Sequence, residues 1–187
     1  MAKYVFGYGS LVSTKDVART LGREPVLIHP VELKGWVRDW GVVIDNTIAA
    51  HRCVRLPDGS VAPGYIAVLN VRRPLPGERP THPNGVLFEV TDDELKKLDD
   101  REKCYERLDV TAYVVNAPTG TVYVYSGLDK HLIANHDGPD GSAVVIPGAY
   151  AELVKRGFAE LSPDMHQAYL KSTLSSRLSV VNQPLSL

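Results

Sequence analysis

The stretch Tyr4-Val5-Phe6-Gly7-Tyr8-Gly9-Ser10-Leu11 decides how the rest of the chain is read. Strand-forming residues run into two glycines that flank a tyrosine, and a serine follows. Glycine lets a backbone take positive φ or come close to a ligand. A bend of that kind can turn successive N–H groups toward one point and form a nest for an anion. A plain turn out of a strand is the other reading, since glycine marks turns as readily as sites. A dinucleotide loop is disfavoured, because Val12 stands where the third glycine belongs and no βαβ series follows. Ser10 lacks a Gly-x-Ser-x-Gly elbow, so a binding loop suits it better than a nucleophile.

Outward from this stretch, Ser13 or Thr14 can cap a short helix that stops at Gly22. Val26-Leu27-Ile28-His29, between Pro25 and Pro30, predicts one short strand. Strand-like runs recur at residues 36–44, 64–71, 86–90, 108–115 and 121–125, so the chain is β-rich. Asn116-Ala117-Pro118-Thr119-Gly120 is turn chemistry and predicts a hairpin between the last two runs. Trp36 and Trp40, four apart on one strand, read as core or rim packing. Two helices are expected near residues 150–158 and 164–174. Residues 71–85 hold four prolines without periodicity and predict a mobile surface loop, a candidate lid. The segment after Ser175 shows no clear stripe and is expected as a C-terminal helical tail.

Composition narrows the class. The chain has 187 residues, which suits a single domain over 1–187 with a substantial core. Its 21 basic and 22 acidic side chains nearly balance, so neither nucleic acid nor an anionic membrane is indicated as a partner. No apolar run approaches the roughly 20 residues of a membrane span, and no signal segment opens the chain; a cytoplasmic location is expected. Cys53 and Cys104 form no metal spacing, which agrees with a reducing compartment. His131, His136, Asp137 and Asp140 sit without the spacing of a known zinc pattern, and no metal is expected.

The most informative segment is Thr91-Asp92-Asp93-Glu94-Leu95-Lys96-Lys97-Leu98-Asp99-Asp100-Arg101-Glu102-Lys103-Cys104-Tyr105. Thr91 and Glu94 have capping-box spacing, so a helix starts there. Its apolar stripe runs Leu95, Leu98 and then Glu102 and Tyr105, which puts a carboxylate where a core hydrophobe belongs. A carboxylate moved out of water favours its neutral form, and this raises its pKa toward the range of a general acid or base. Glu102 is therefore a candidate catalyst. The other reading ends the helix near Asp100 and leaves Glu102 in an exposed turn, or pairs it with Arg101 or Arg107.

"YVFGYGSL", followed about ninety residues later by "LDDREKCYER", resembles the γ-glutamylcyclotransferase-like superfamily. The resemblance implies an α+β fold, a small mixed β-barrel with flanking helices. It also implies a binding loop at Tyr8, Gly9, Ser10 and Leu11, with Glu102 as catalytic acid/base near Tyr105 and Arg107. "IPGAYAELVKRGF" is similar to the family's Pro-x-x-Tyr helix and nominates Tyr150, while "VYVYSGL" nominates Tyr125. The implied reaction joins the α-amine of a γ-glutamyl group to its own γ-carbonyl, releasing 5-oxoproline and an amine from a small substrate, with no cofactor. Leu11 and the Arg101-Glu102 pair are similar to the glutathione-directed branch, whereas enzymes acting on γ-glutamyl amino acids often carry Asn after the serine. A non-catalytic binding protein on the same fold is the alternative.

Overall fold

Strand β1 (Lys3–Gly7) is the hub of the computed structural model, which describes residues 1–48, 54–55, 59–62, 64–132 and 141–181. Val5 and Phe6 are wholly buried, each removal from water contributing about 1.5–3 kcal/mol. β1 pairs antiparallel with β5 (Asn84–Glu89) and parallel with β8 (Thr121–Gly127). With β2 (Leu27–Leu33), β6 (Tyr105–Asp109) and β7 (Val114–Val115) they form a six-stranded sheet in the order β6-β8-β1-β5-β2-β7.

A second sheet has the order β10-β9-β4-β3, from β3 (Val37–Asp45), β4 (Tyr65–Arg72), β9 (Val144–Pro147) and β10 (Ser179–Val181). The two sheets meet where β4 approaches β8. There Ser126 Oγ donates to the Val71 carbonyl at 2.7 Å and Gly127 N–H donates to Asn70 Oδ1 at 2.8 Å. The result is the expected small mixed β-barrel with flanking helices.

Helix α1 (Thr14–Leu21) begins at Ser13, whose hydroxyl accepts from the Asp16 N–H, and ends at Gly22 with φ 82°. Helix α2 (Asp92–Arg101) carries the complete Thr91–Glu94 capping box. Helices α3 (Gly148–Leu161) and α4 (Pro163–Ser172) meet at Ser162 and stack Phe158 on Tyr169, ring centres 4.7 Å apart. The fully buried Arg38 guanidinium lies against both rings. It donates to Asn84 in β5, to Ser172 at the end of α4 and to Thr173 just beyond it, fastening these helices to the barrel. Burial pulls Arg38 down to about 9, which still leaves it charged at neutral pH.

Three local expectations are corrected. β2 does not end at Pro30; it continues to Leu33, with a shift of register between Ile28 and Val31. That irregularity takes the proline, which has no N–H, out of the regular ladder. The run at 108–115 is two strands separated by a 3-10 turn at Thr111–Tyr113, so the anticipated hairpin is not one. β6 pairs with β8, while β7 turns away to pair with β2. Trp36 and Trp40 pack as expected, Trp36 in the core and edge-on to Tyr113, Trp40 at its rim and edge-on to Tyr150. Finally, the segment expected as a helical tail after Ser175 holds no helix among its described residues: α4 has already ended at Ser172, Ser179–Val181 is a strand lying parallel to β9, and residues 182–187 lie outside the described residues.

The proline-rich segment between β4 and β5 has no regular structure but is tied to its surroundings. Glu78 accepts from Arg72 and the Leu75 N–H, and the Thr81 and His82 N–H groups donate to the Trp36 carbonyl. None of its residues lines the cleft described next.

Candidate active site

β1 delivers its last residues into a tight bend. Gly7 is required there because a Cβ would fall 2.5 Å from the Leu11 carbonyl oxygen. Gly9 has no positive φ; a Cβ at this position would stand 3.1 Å from the Tyr150 hydroxyl. Close approach, not a left-handed backbone, is the reason for both glycines. A 3-10 turn then runs Ser10–Val12, and the first N–H groups of such a turn have no partners within it.

α2 ends at Arg101, and Glu102 is its C-cap, with φ −98° and ψ 43°. The helix therefore stops about where the exposed-turn reading placed its end, yet the Glu102 residue is only 7% exposed. Its Oε1 lies 3.0 Å from Arg101 Nε. Burial and pairing with Arg101, offered by the sequence as alternatives, both occur.

Tyr8, Gly9, Ser10, Leu11, Glu102, Tyr105, Tyr125 and Tyr150 all line one cleft, with Leu69 from β4. All eight site residues nominated from the sequence thus come together, from β1 and its bend, the end of α2, β6, β8 and α3. The open volume between them is about 20 Å³, roughly the room one water needs.

The tyrosines differ in what they do. Tyr8 donates to the Tyr125 carbonyl at 2.7 Å. Burial pushes its hydroxyl well above the usual tyrosine range, and Tyr150 and Glu102 add to the effect. Tyr105 donates to the Leu69 carbonyl at 2.8 Å. Tyr125 gives its ring to the cleft but its hydroxyl to Asp99 Oδ1 at 2.8 Å; burial, then Asp99, raises its pKa. Asp99 in turn holds Arg107 at 2.8 Å. Tyr150 is the tyrosine whose hydroxyl stands against Gly9, with its ring edge-on to Trp40 at 6.1 Å.

Leu69, Asp99 and Trp40 were not nominated from the sequence. Asp99 had a signal in its position three residues before Glu102. Leu69 had none, since its place depends on the β4–β8 seam. Among the described residues no group of His, Cys, Asp or Glu is arranged to hold a metal ion; His136, Asp137 and Asp140 lie outside the described residues. Among the described residues no helix is long and apolar enough to cross a membrane.

Comparison with known proteins agrees with the fold. No curated protein matches the sequence. A solved gamma-glutamyl cyclotransferase superposes with a TM-score of 0.60 at 12% identity, covering 97% of this chain and 94% of its own. A yeast gamma-glutamyl cyclotransferase specific to glutathione superposes with a TM-score of 0.51 at 14% identity, covering 92% and 97%. YkqA from Bacillus subtilis gives 0.51 at 20% identity, covering 89% of this chain and 52% of its own. At such identities the likeness is one of fold. Residues 5–140 match the gamma-glutamyl cyclotransferase, AIG2-like family, well over half of the 187 residues, and the chain belongs to that family.

Proposed function

We propose that the protein is a γ-glutamyl cyclotransferase with Glu102 as its proton carrier. The observation that carries this reading is a single one: a buried carboxylate shares a cleft with the glycine bend that follows β1. An α-amine, with a pKa of about 8, is largely protonated at neutral pH and cannot attack until it loses a proton. That first proton passes to solvent; Glu102 accepts the second as the nitrogen bonds to the γ-carbonyl carbon, so the ring nitrogen keeps the single hydrogen of a lactam. Glu102 then returns the proton to the departing nitrogen as the original C–N bond breaks. The products are 5-oxoproline and a free amine, and no atom is left unaccounted for.

The rest of the demand is geometric. An extended γ-glutamyl chain must be curled until its nitrogen reaches its own carbonyl, and fixing such geometry is worth about 7–11 kcal/mol in intramolecular reactions. The N–H groups of Gly9, Ser10 and Leu11 are suited to holding the substrate's oxygens, with Tyr150 closing the cleft beside Gly9.

The test is a screen of glutathione, γ-glutamyl amino acids and γ-glutamyl amines for 5-oxoproline release, with Glu102→Gln alongside. The variant keeps the shape of the side chain but cannot carry the proton, so kcat is expected to fall by about 10²–10⁴. Release at the wild-type rate by the variant, or by neither protein from any of these compounds, would remove the reading. The same screen names the leaving amine.

A further inference from the structure

Neighbouring residues on a continuous helix point about 100° apart and do not face each other. Arg101 and Glu102 do face each other, because the helix stops between them and Glu102 takes a non-helical backbone. Arg101 is only 17% exposed, and its guanidinium reaches in three directions. Nη1 donates to Thr20 Oγ1 at 2.7 Å and to the Asp16 carbonyl at 3.2 Å, both on α1. Nη2 donates to Ser10 Oγ at 3.0 Å, in the glycine bend. Nε lies 3.0 Å from Glu102 Oε1. One side chain therefore joins α1, the binding bend and the candidate base.

Guanidinium has donors only and keeps its charge at any working pH. Two consequences follow from that alone. The Ser10 oxygen is an acceptor in its bond with Arg101, so its own hydroxyl proton is left to be donated elsewhere, and Ser10 lines the cleft. A cationic donor beside Glu102 holds a carboxylate oxygen at the fork, which fixes the direction of that side chain in the cleft. The other groups around the pair do not repeat this function. In the cleft, burial raises the Tyr8 and Tyr125 hydroxyls above the usual tyrosine range. The Asp16 carboxylate pairs with Arg19 at 3.3 Å, and Arg107 pairs with Asp99.

We propose that Arg101 is a positioning residue that fixes Glu102 and Ser10 relative to each other, aiming the carboxylate at the reacting nitrogen and leaving Ser10 a hydroxyl donor to a substrate oxygen. This rests on the γ-glutamyl reading above for its catalytic meaning, while the coupling of Arg101 to Ser10 can be measured by binding, without turnover.

The experiment measures 5-oxoproline release from the γ-glutamyl compound that the screen above identifies, and binding of 5-oxoproline by calorimetry, in wild type, Arg101→Gln, Arg101→Lys, Ser10→Ala, Thr20→Val and the double variant Arg101→Lys/Ser10→Ala. Thr20→Val removes a tether to α1 and leaves the guanidinium in place. Arg101→Gln is expected to lower kcat about tenfold or more and to raise KM, and Thr20→Val to leave both within about twofold. Arg101→Lys keeps a charge without the fork; it is expected to lower kcat and raise KM, and Ser10→Ala added to it is expected to raise KM no further. Wild-type kcat and KM in Arg101→Gln, an equal loss in Thr20→Val, or additive effects of Arg101→Lys and Ser10→Ala on KM would overturn the proposal. If Arg101→Gln does not fold, Arg101→Lys and its double variant decide by the same comparison. Absence of turnover by every protein would sink the activity reading; the calorimetry then decides, with Arg101→Lys and Ser10→Ala expected to weaken 5-oxoproline binding non-additively and additive effects overturning the proposal.

Discussion

Tyr8 and Tyr125, 117 residues apart in the chain, meet where the Tyr8 hydroxyl donates to the Tyr125 carbonyl oxygen at 2.7 Å. This bond locks the glycine bend to β8 and holds two walls of the cleft in register. Removing it with Tyr8→Phe is expected to cost about 1 kcal/mol, read from urea unfolding at pH 7. The buried Tyr8 hydroxyl is raised above the ordinary tyrosine value of 10.0. Its contribution is therefore fully present below pH 10 and lost as pH climbs above it. The difference between wild type and Tyr8→Phe should narrow above pH 10; a constant difference would contradict the burial argument.

The two glycines predict different failures. Gly7→Ala drives a methyl into the Leu11 carbonyl, a backbone atom that cannot step aside without displacing the bend. It should destabilise by about 1–3 kcal/mol and weaken substrate binding together. Gly9→Ala meets the end of the Tyr150 side chain at 3.1 Å, so the tyrosine gives way. Stability should stay within about 0.5 kcal/mol, while KM for a confirmed γ-glutamyl substrate rises. Equal losses of stability in both variants would show that the Tyr150 contact is as rigid as the backbone one.

Glu94 has two duties, accepting from the Thr91 N–H in the capping box and from Arg23 at 2.7 and 3.0 Å. The hydrogen bond from Arg23 is the main reason its carboxyl lies below the ordinary value of 4.5. A depressed acid contributes stability above its unfolded value and loses it as pH falls. Arg23 is 45% exposed, so the ion pair is discounted for solvent screening. Glu94→Gln should cost about 1 kcal/mol at pH 7, and the gap to wild type should close as pH falls below 4.5. Thermal unfolding across pH 3–7 checks it, and a gap independent of pH would mean that the charge contributes nothing.

Arg38 tests the attachment of α3 and α4 to the barrel. Arg38→Met fills much of the same space but leaves the Asn84 carbonyl and its side-chain oxygen without the guanidinium's hydrogen bonds. The expected loss is at least about 3 kcal/mol, measured by urea unfolding. A loss below about 1 kcal/mol would show that the stacking of Phe158 on Tyr169, rather than the guanidinium, holds the helices in place.

Local chemistry was legible before any coordinates. The Ser13 cap, the Gly22 stop and the Thr91–Glu94 capping box involve residues a few positions apart, and each forms as its spacing predicts. The position of Glu102 was only half legible. Its spacing from Leu98 suggests an inward carboxylate, but the helix ends one residue earlier, and it is the cleft rather than the helix that keeps Glu102 from water. The route of the chain from 108 to 121 is not legible, because alternation marks a strand without naming its partner. β7 follows β2 instead of completing a hairpin.

By itself the sequence determined the ends of the early helices, the glycine bend and the residue types gathered for proton transfer, since these depend on propensities and contacts within a turn or two. Tertiary structure alone decided that Leu69 closes the cleft, that Asp99 takes the Tyr125 hydroxyl, and that Arg101 reaches Ser10 as well as Glu102. Such contacts join elements tens of residues apart, and their geometry comes into being only when the two sheets pack against each other and α1 settles on α2.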